Sequence, residues 1–491
     1  MKPDQSHIKE IKAAFEKLQT REDLLALLNK TKHLLYGNKA VPFQLKQLTW
    51  YANPKLGQTR YKEFKILKKS GAQRSIHAPV KGLKALQRTL GFILQCVYEP
   101  HKATMGFVRD RSVLDNARLH AGSNYVYNID LKDFFSSIDQ ARVWKCLQLK
   151  PFNLLDQNSR KEVFVGGTGI KVVKLDYFQK SNQTIVTEFS NGAIALVSLK
   201  GGFRKKGEHY IPLFCDENTD ELLQEWHIVK INGRDWILKK NNGFDSLGVG
   251  FTRKGLANLI TSICCTEMEV ERINSAGNWQ MVKRNVLPQG APSSPVLTNI
   301  VCQKLDFLLT AVAKRFGLKY SRYADDITFS SMHNVYQPGS EFLKELHRII
   351  AEQKFQINES KTRLQKEGYR MEVTGLVVNE KPNVPQRYIK QIRMWLYYWE
   401  RYGYEKSSGF FNKQYNADKG HLKNCQPDMA NVISGKLEYL KLIKGKENPI
   451  YKGLKERLDI LVKRNDAIDQ LLNIWAVEGI ESAMVRYYHN K

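Results

Sequence analysis

Apolar residues recur at helical spacing near the start of the chain. Ile8, Ile11 and Phe15 share one face, and a second helix is predicted where Thr20-Arg21-Glu22-Asp23 precedes Leu24, Leu25, Leu27 and Leu28. The period then changes. Residues 60 to 80 alternate, carry Lys62, Lys65, Lys68 and Lys69, and turn at Ser70-Gly71 before Gln73 to Pro79, which predicts a basic hairpin. A helix from about Val80 to Tyr98 follows, and Asn124 to Asp130 alternates as a strand that ends on an acid.

Between Phe152 and about Gly248 the pattern is β-branched and punctuated by glycine, as in Ile170 to Leu175, Thr184 to Phe189 and Ala193 to Leu199. This predicts a small β-rich insertion. Its Gly166-Gly167-Thr168-Gly169 reads as a turn, because no Gly-Lys-Ser/Thr follows to make a phosphate loop. Helical spacing resumes at Gly255 through Leu256, Leu259, Ile260 and Ile263. A hairpin is predicted over Glu271 to Lys283, and a helix over Val296 to about Phe316. After Gly375 the chain is mainly helical. From Tyr388 to Tyr402, at 100° per residue, Arg387, Lys390, Arg393 and Arg401 fall in one arc, with Ile392, Trp395, Leu396, Trp399 and Tyr402 opposite.

At 491 residues, 42% of them hydrophobic, the chain is long enough for two or three cores. The charged opening residues do not read as a signal peptide and no apolar run approaches the ~20 residues of a membrane helix, so a bacterial cytoplasmic setting without membrane contact is expected. Seven scattered cysteines without a Cys-x-x-Cys pair argue against a disulfide framework and a zinc ribbon. The net charge of +28 attracts polyanions. That charge is modular: residues 1–150 hold 27 basic against 12 acidic side chains, whereas residues 156–247 hold 13 against 12. The near-neutral insertion is therefore expected to serve protein contact or self-assembly and not to grip RNA.

Tyr323-Ala324-Asp325-Asp326, between two alternating runs, predicts a hairpin with paired carboxylates at its tip. Adjacent acids at a bend repel each other unless a cation neutralises them, which points to a divalent metal and phosphoryl-transfer chemistry. Asp130 supplies a third carboxylate at a strand end. Because side chains alternate, one of the pair is expected to join Asp130, and Asp325 is taken as the closer ligand. Hard oxygen donors with a polyphosphate substrate select Mg2+.

In order along the chain, Arg74-x-Ile76-x-x-Pro79, Asp130 to Phe135, Leu287-Pro288-Gln289-Gly290-Ala291-Pro292-Ser293-Ser294-Pro295, the Tyr323 to Asp326 string, Lys361 and Val373-Thr374-Gly375 resemble the motif series of reverse transcriptases. More narrowly, Asn116 to His120 and Val373-Thr374-Gly375 look like the two signatures of bacterial retron-type enzymes, a group that includes phage-defence reverse transcriptases. The resemblance covers roughly residues 40–150 and 250–400. It implies an α+β right-hand polymerase: a helical lead-in (1–37), basic fingers (38–110), a palm (111–151 and 249–378, with part of the fingers), the β-rich insertion (152–248) and a helical thumb and C-terminal extension (379–491).

The resemblance also implies roles. Asp130 and Asp325 would hold two Mg2+ ions, with Mn2+ as a substitute, Asp326 would support them and Leu131 would add a backbone ligand. Asp133 and Phe134 would lie under the triphosphate. Phe135 would be the gate against a 2′-hydroxyl, Gln289 would line the nucleotide pocket, Lys69 and Arg74 would reach the phosphates, and Lys361 would be the acid for pyrophosphate. Asn116, His120, Val373, Thr374, Gly375, Arg387, Lys390, Arg393 and Arg401 would meet RNA or primer. The implied partners are deoxynucleotides, a dedicated structured non-coding RNA that is template and primer, the cDNA product, and a separate effector protein or further copies of the chain. The implied setting is anti-phage defence.

Plainer readings stand beside these. The three acids could be solvated turn residues, although Asp130 ends an apolar strand where an unpaired charge is costly. Asn116 and His120 could satisfy buried backbone groups, Phe135 and Gln289 could be core and loop residues, the thumb arginines a solvated face, and Tyr487-Tyr488 packing. The rival functions are a group II intron-like reverse transcriptase and an RNA-binding scaffold with a vestigial polymerase.

Overall fold

The computed structural model describes residues 4–37, 39–53, 60–67, 71, 73–154, 172–178, 184–189, 194–198, 203–206, 209–212, 226–231, 234–239, 253–273, 278–419 and 426–489. Lys69 and the Gly166 to Gly169 turn lie outside them.

Strands β1 (Tyr61–Leu67) and β2 (Gln73–Pro79) form the basic hairpin, with Phe64 opposite Ile76. The strand before the first acid is β3 (Tyr125–Asp130). The insertion supplies β4 (Val172–Phe178), β5 (Thr184–Phe189), β6 (Ile194–Ser198), β7 (Phe203–Lys206), β8 (His209–Pro212), β9 (Trp226–Ile231) and β10 (Arg234–Lys239). These make an antiparallel sheet of order β4-β5-β6-β10-β9 and a separate β7-β8 hairpin. A second hairpin, β11 (Thr266–Ile273) with β12 (Trp279–Val286), extends beyond the predicted Glu271 to Lys283 at both ends. Then come β13 (Lys319–Tyr323), β14 (Asp326–Ser331), β15 (Arg363–Lys366), β16 (Glu372–Val373) and β17 (Leu376–Val377).

The chain divides into two compact units. The first comprises residues 1–56, 88–98 and 140–263. In it Asp4 caps helix Gln5–Glu16 by accepting the N–H groups of Ser6 and His7, and Thr20 and Asp23 form a reciprocal capping box on helix Arg21–Tyr36. The predicted stripe is buried through Ile11, Phe15, Leu24, Leu27 and Leu28, and the Phe15 ring meets Phe152 edge-on at 6.0 Å.

The second unit comprises residues 57–87, 99–139 and 264–491. Its centre is the antiparallel sheet β13-β14-β3-β15. Helix Ser294–Arg315 buries most of its surface. Among the described residues it alone is long and apolar enough to cross a membrane, which the sequence reading had missed. With 67% of that window buried it has the character of a core helix. A continuous apolar cluster joins helix Val113–His120 (Leu114, Ala117) to β16 and β17 (Val373, Leu376) and to the C-terminal helices through Trp395, Trp399, Phe411, Leu437 and Leu454. On helix Gln386–Tyr402, Ile392, Trp395, Leu396 and Trp399 are buried as predicted. Tyr402 is the exception, at 51% exposure, because it is the helix's last residue and extends past its packed face.

Candidate active site

The geometry starts with a two-residue turn. Tyr323 pairs with Asp326 across β13 and β14, leaving Ala324 and Asp325 as the bend, with Ala324 in the left-handed region at φ 59°. That conformation strains a non-glycine residue, so something must hold it. The support comes from behind. Arg322, wholly buried, donates from a guanidinium nitrogen to the Ala324 carbonyl at 3.1 Å and forms a two-pronged pair with Asp306 at 2.8 and 2.7 Å. Asp306 also accepts from Tyr320 Oη (2.7 Å) and Thr104 Oγ1 (2.8 Å), and Arg322 donates to Asn299 Oδ1 at 3.2 Å. Burial alone would lower the Arg322 pKa, but the Asp306 charge more than reverses it, so the guanidinium stays charged. The Ala103 to Gly106 segment closes over the same strand. Met105 N–H donates to the Arg322 carbonyl at 2.7 Å, and a Cβ on Gly106 would stand 2.5 Å from the Ala324 nitrogen, so only glycine fits.

In front of the turn the balance is different. Register sets Asp326 directly opposite Asp130, while Asp325 sits in the bend, where its backbone carbonyl accepts the Leu131 N–H at 3.1 Å. The Asp130 carboxylate accepts from Lys361 Nζ at 2.8 and 3.0 Å and from Asn358 Nδ2 at 3.0 Å. Burial raises the Asp325 pKa and Asp130 adds repulsion, against opposite pulls from Lys361 and Arg74. Asp326 is pushed to about 6 by burial of its carboxylate and then by Asp325 and Asp130. As a residue Asp326 is exposed, so crowding by its two acidic neighbours is the firmer of those causes.

Clustered carboxylates with raised pKa values and hard oxygen donors suit Mg2+. Among the described residues no group of three or more histidine, cysteine or acidic side chains is arranged to hold a metal ion. Magnesium needs less, because it is held by one or two carboxylates while water and substrate phosphate fill the rest. Lys361 meanwhile supplies Asp130 with a positive partner.

The residues assigned to the nucleotide lie on three neighbouring elements. Arg74 is exposed on β2, near enough for its charge to act on Asp325. The Gln289 carbonyl accepts the His77 N–H at 2.8 Å. Gly290, at φ 116°, lies so close to β2 that a Cβ would come 2.8 Å from Ile76 Cγ2. Beyond β3, Asp133 is exposed at φ 47°, Phe134 is buried and stacked on Phe355 at 5.7 Å, and Phe135 is half-buried.

The residues assigned to RNA separate into two sets. Asn116 and His120 have no exposed surface. His120 is linked through Nε2 to Ser321 Oγ (2.7 Å) and through Nδ1 to Ser330 Oγ (2.8 Å), Asn116 Oδ1 accepts from Ser321, and Asn116 Nδ2 lies 3.5 Å from Thr374 Oγ1. Among the described residues their partners are side chains of the β13-β14 hairpin and of the Val373-Thr374-Gly375 turn, not the backbone groups considered from sequence. Burial drives the His120 pKa down to about 3, so the imidazole is neutral. Val373 is buried, while Thr374 and Gly375 form the turn at φ 47° and 83°. Arg387, Lys390, Arg393 and Arg401 are all exposed.

Sequence reasoning missed Asp306, Arg322, Thr104 and Gly106. One signal was available: Asp306 is the only acid in the largely buried helix Ser294–Arg315, a position that demands a buried partner.

Residues 222–378 match the family model described as reverse transcriptase (RNA-dependent DNA polymerase). The retron Mx162 reverse transcriptase of Myxococcus xanthus is 28% identical over 72% of this chain and 56% of its own length. The retron Ec86 reverse transcriptase of Escherichia coli is 26% identical over 68% of each, and the Myxococcus xanthus retron Mx65 reverse transcriptase is 27% identical over 65% of this chain and 51% of its own. A Candida albicans telomerase, solved with the TWJ fragment of telomeric RNA, aligns over 90% of this chain and 64% of its own at 13% identity and a TM-score of 0.36. The antiparallel sheet with acids at its turn, together with the family match, gives the chain an α+β fold of right-hand polymerase class. Over about two thirds or more of its length the chain is similar to retron reverse transcriptases, and about a third of it matches the reverse transcriptase family model. It spans 56% and 51% of the two Myxococcus relatives and 68% of the Escherichia coli one.

Proposed function

We propose that this chain is an RNA-directed DNA polymerase that copies a dedicated structured non-coding RNA into DNA, in the setting of anti-phage defence. The observation that carries the reading is the cross-strand pairing of Asp326 with Asp130 beside Asp325, three acids from distant parts of the sequence gathered at one sheet end. Asp130 and Asp325, supported by Asp326 and the Leu131 backbone, would hold two Mg2+ ions, which supply activation of the primer 3′-hydroxyl and neutralisation of the leaving pyrophosphate. Arg74 draws the triphosphate toward the acids by its charge. Gln289, held by its bond to β2, lines the base side, and Phe135 crowds the position a 2′-hydroxyl would take. Lys361, whose Nζ donates to Asp130 at 2.8 Å, would be the acid for the leaving pyrophosphate.

The test is primer extension by the double variant Asp325→Ala, Asp326→Ala. Incorporation is expected to vanish while RNA affinity stays within about twofold, since phosphate contacts by Lys and Arg dominate affinity. Synthesis at the unmodified rate would remove the assignment.

A further inference from the structure

Phe107 has an exposed ring on a backbone that nothing in the sequence asks for. It lies in the left-handed region at φ 60° and is 39% exposed, an unusual combination for a bulky apolar residue. Such an outlier persists only where its surroundings over-determine it. Here they do. On its N-terminal side the Gly106 carbonyl accepts from Asn299 Nδ2 at 2.9 Å, Gly106 is flush with the catalytic turn, and the Met105 N–H is bonded to Arg322. Arg111 clamps the same loop by donating to the carbonyls of His101 (2.9 Å), Lys102 (3.1 Å) and Thr104. The loop is therefore tied to the Tyr323 to Asp326 bend, and it delivers the Phe107 ring to one partner. The Phe107 and Phe135 centroids are 6.3 Å apart at 47°. Phe135 also meets Phe134 edge-on at 5.6 Å, and Phe134 stacks on the buried Phe355.

We infer that Phe107 is a specificity-positioning residue, which braces Phe135 from the solvent side and so sets how strictly the site rejects a ribonucleotide. The inference rests on the reading of Phe135 as the sugar gate. Phe135 is only half-buried, with Phe134 fixed on one flank, so without Phe107 its ring has room to swing outward and admit a 2′-hydroxyl. Because the brace shares its tether with the catalytic turn, gate and acids keep a fixed relation.

The experiment compares kcat/KM for a deoxynucleotide and the matching ribonucleotide on one primed RNA template, in the unmodified protein, Phe107→Ala, Phe107→Leu, Phe135→Ala and the double Ala variant. Phe107→Ala should lower deoxy-over-ribo discrimination by about tenfold, the scale of a changed apolar contact. Phe107→Leu should retain most of it, and the double variant should discriminate no worse than Phe135→Ala alone. Partial misfolding reduces both substrates together and cancels in the ratio. Unchanged discrimination in Phe107→Ala, or an independent further loss in the double variant, overturns the inference. If Phe135→Ala itself discriminates as the unmodified protein does, the gate reading falls. If Phe135→Ala loses selectivity while Phe107→Ala keeps it, only the brace falls.

Discussion

The two sides of the Ala324-Asp325 bend are built on opposite electrostatic plans. Behind it, Asp306 and Arg322 are fully buried and mutually neutralised, and Tyr320 and Thr104 occupy further acceptor positions on Asp306. In front, three carboxylates crowd together, and their nearby cations, Lys361 and Arg74, leave the pKa values of Asp325 and Asp326 raised. A buried ion pair gains little net stability over apolar packing, but breaking it by removing one member is expensive. The rear pair is therefore architecture: it fixes where a strained turn sits. At the front like charges are forced together, the kind of arrangement that marks a candidate functional site. Paired charge distinguishes the rear and crowded like charge the front.

The largest expected effect comes from breaking the rear. Asp306→Ala leaves the Arg322 guanidinium buried without its counter-charge and should cost about 3–5 kcal/mol of unfolding free energy in a urea titration. Replacing both, Asp306→Leu with Arg322→Met, should cost less than the single change because no charge is stranded. Asp326→Asn at the front should do the reverse: in metal-free buffer the protein should be at least as stable, since one of three like charges is gone, while primer extension falls. Equal stability losses for Asp306→Ala and Asp326→Asn would erase the distinction between the two sides.

A smaller effect sharpens it. His120 belongs to the satisfied side, neutral between Ser321 and Ser330. Its folded pKa of about 3 lies below the ordinary histidine value of 6.5. The unfolded chain therefore binds the extra proton first as pH falls. Stability linked to His120 is complete above pH 6.5 and is lost as pH falls toward 3, with about 2 kcal/mol gone between pH 7 and pH 5. Urea midpoints for the unmodified protein and His120→Gln over that range should diverge, the variant showing the shallower decline. Parallel curves would mean that the imidazole takes up its proton in the folded state without penalty.

What was legible in the sequence follows from range. Local signals were read directly: the Thr20 start of the second helix, the alternation of β3 and the packed face of helix Gln386–Tyr402 each depend on residues within a few positions. The acids were legible as a group because motif order brought them together, but their register was not. Alternation within one strand cannot say which residue faces Asp130, and the pairing with Asp326 depends on how β14 slides against β3, some two hundred positions apart. The rear network was hidden for the same reason. Asp306, Thr104 and Arg322 share no local pattern and meet only once the helix, the loop and the strand have packed. The Asn116 to His120 signature was visible, but its burial was not, since a helix opened by Ser112 could have turned that face to solvent.

The smallest expected effect tests the open side at a distance from the acids. Arg387 and Arg393 are exposed, six positions apart on the face opposite the buried Trp395 and Leu396, so their substitution should leave the core undisturbed. If that face lies along an RNA or DNA duplex, Arg387→Ala with Arg393→Ala should weaken binding several-fold at low salt. Each lost phosphate contact should also flatten the slope of log affinity against log salt by about one unit. Urea midpoints should not move. Unchanged affinity and slope would make these arginines an ordinary solvated face, and exposure of charge would then carry meaning only where, as at the Ala324-Asp325 bend, like charges are forced together.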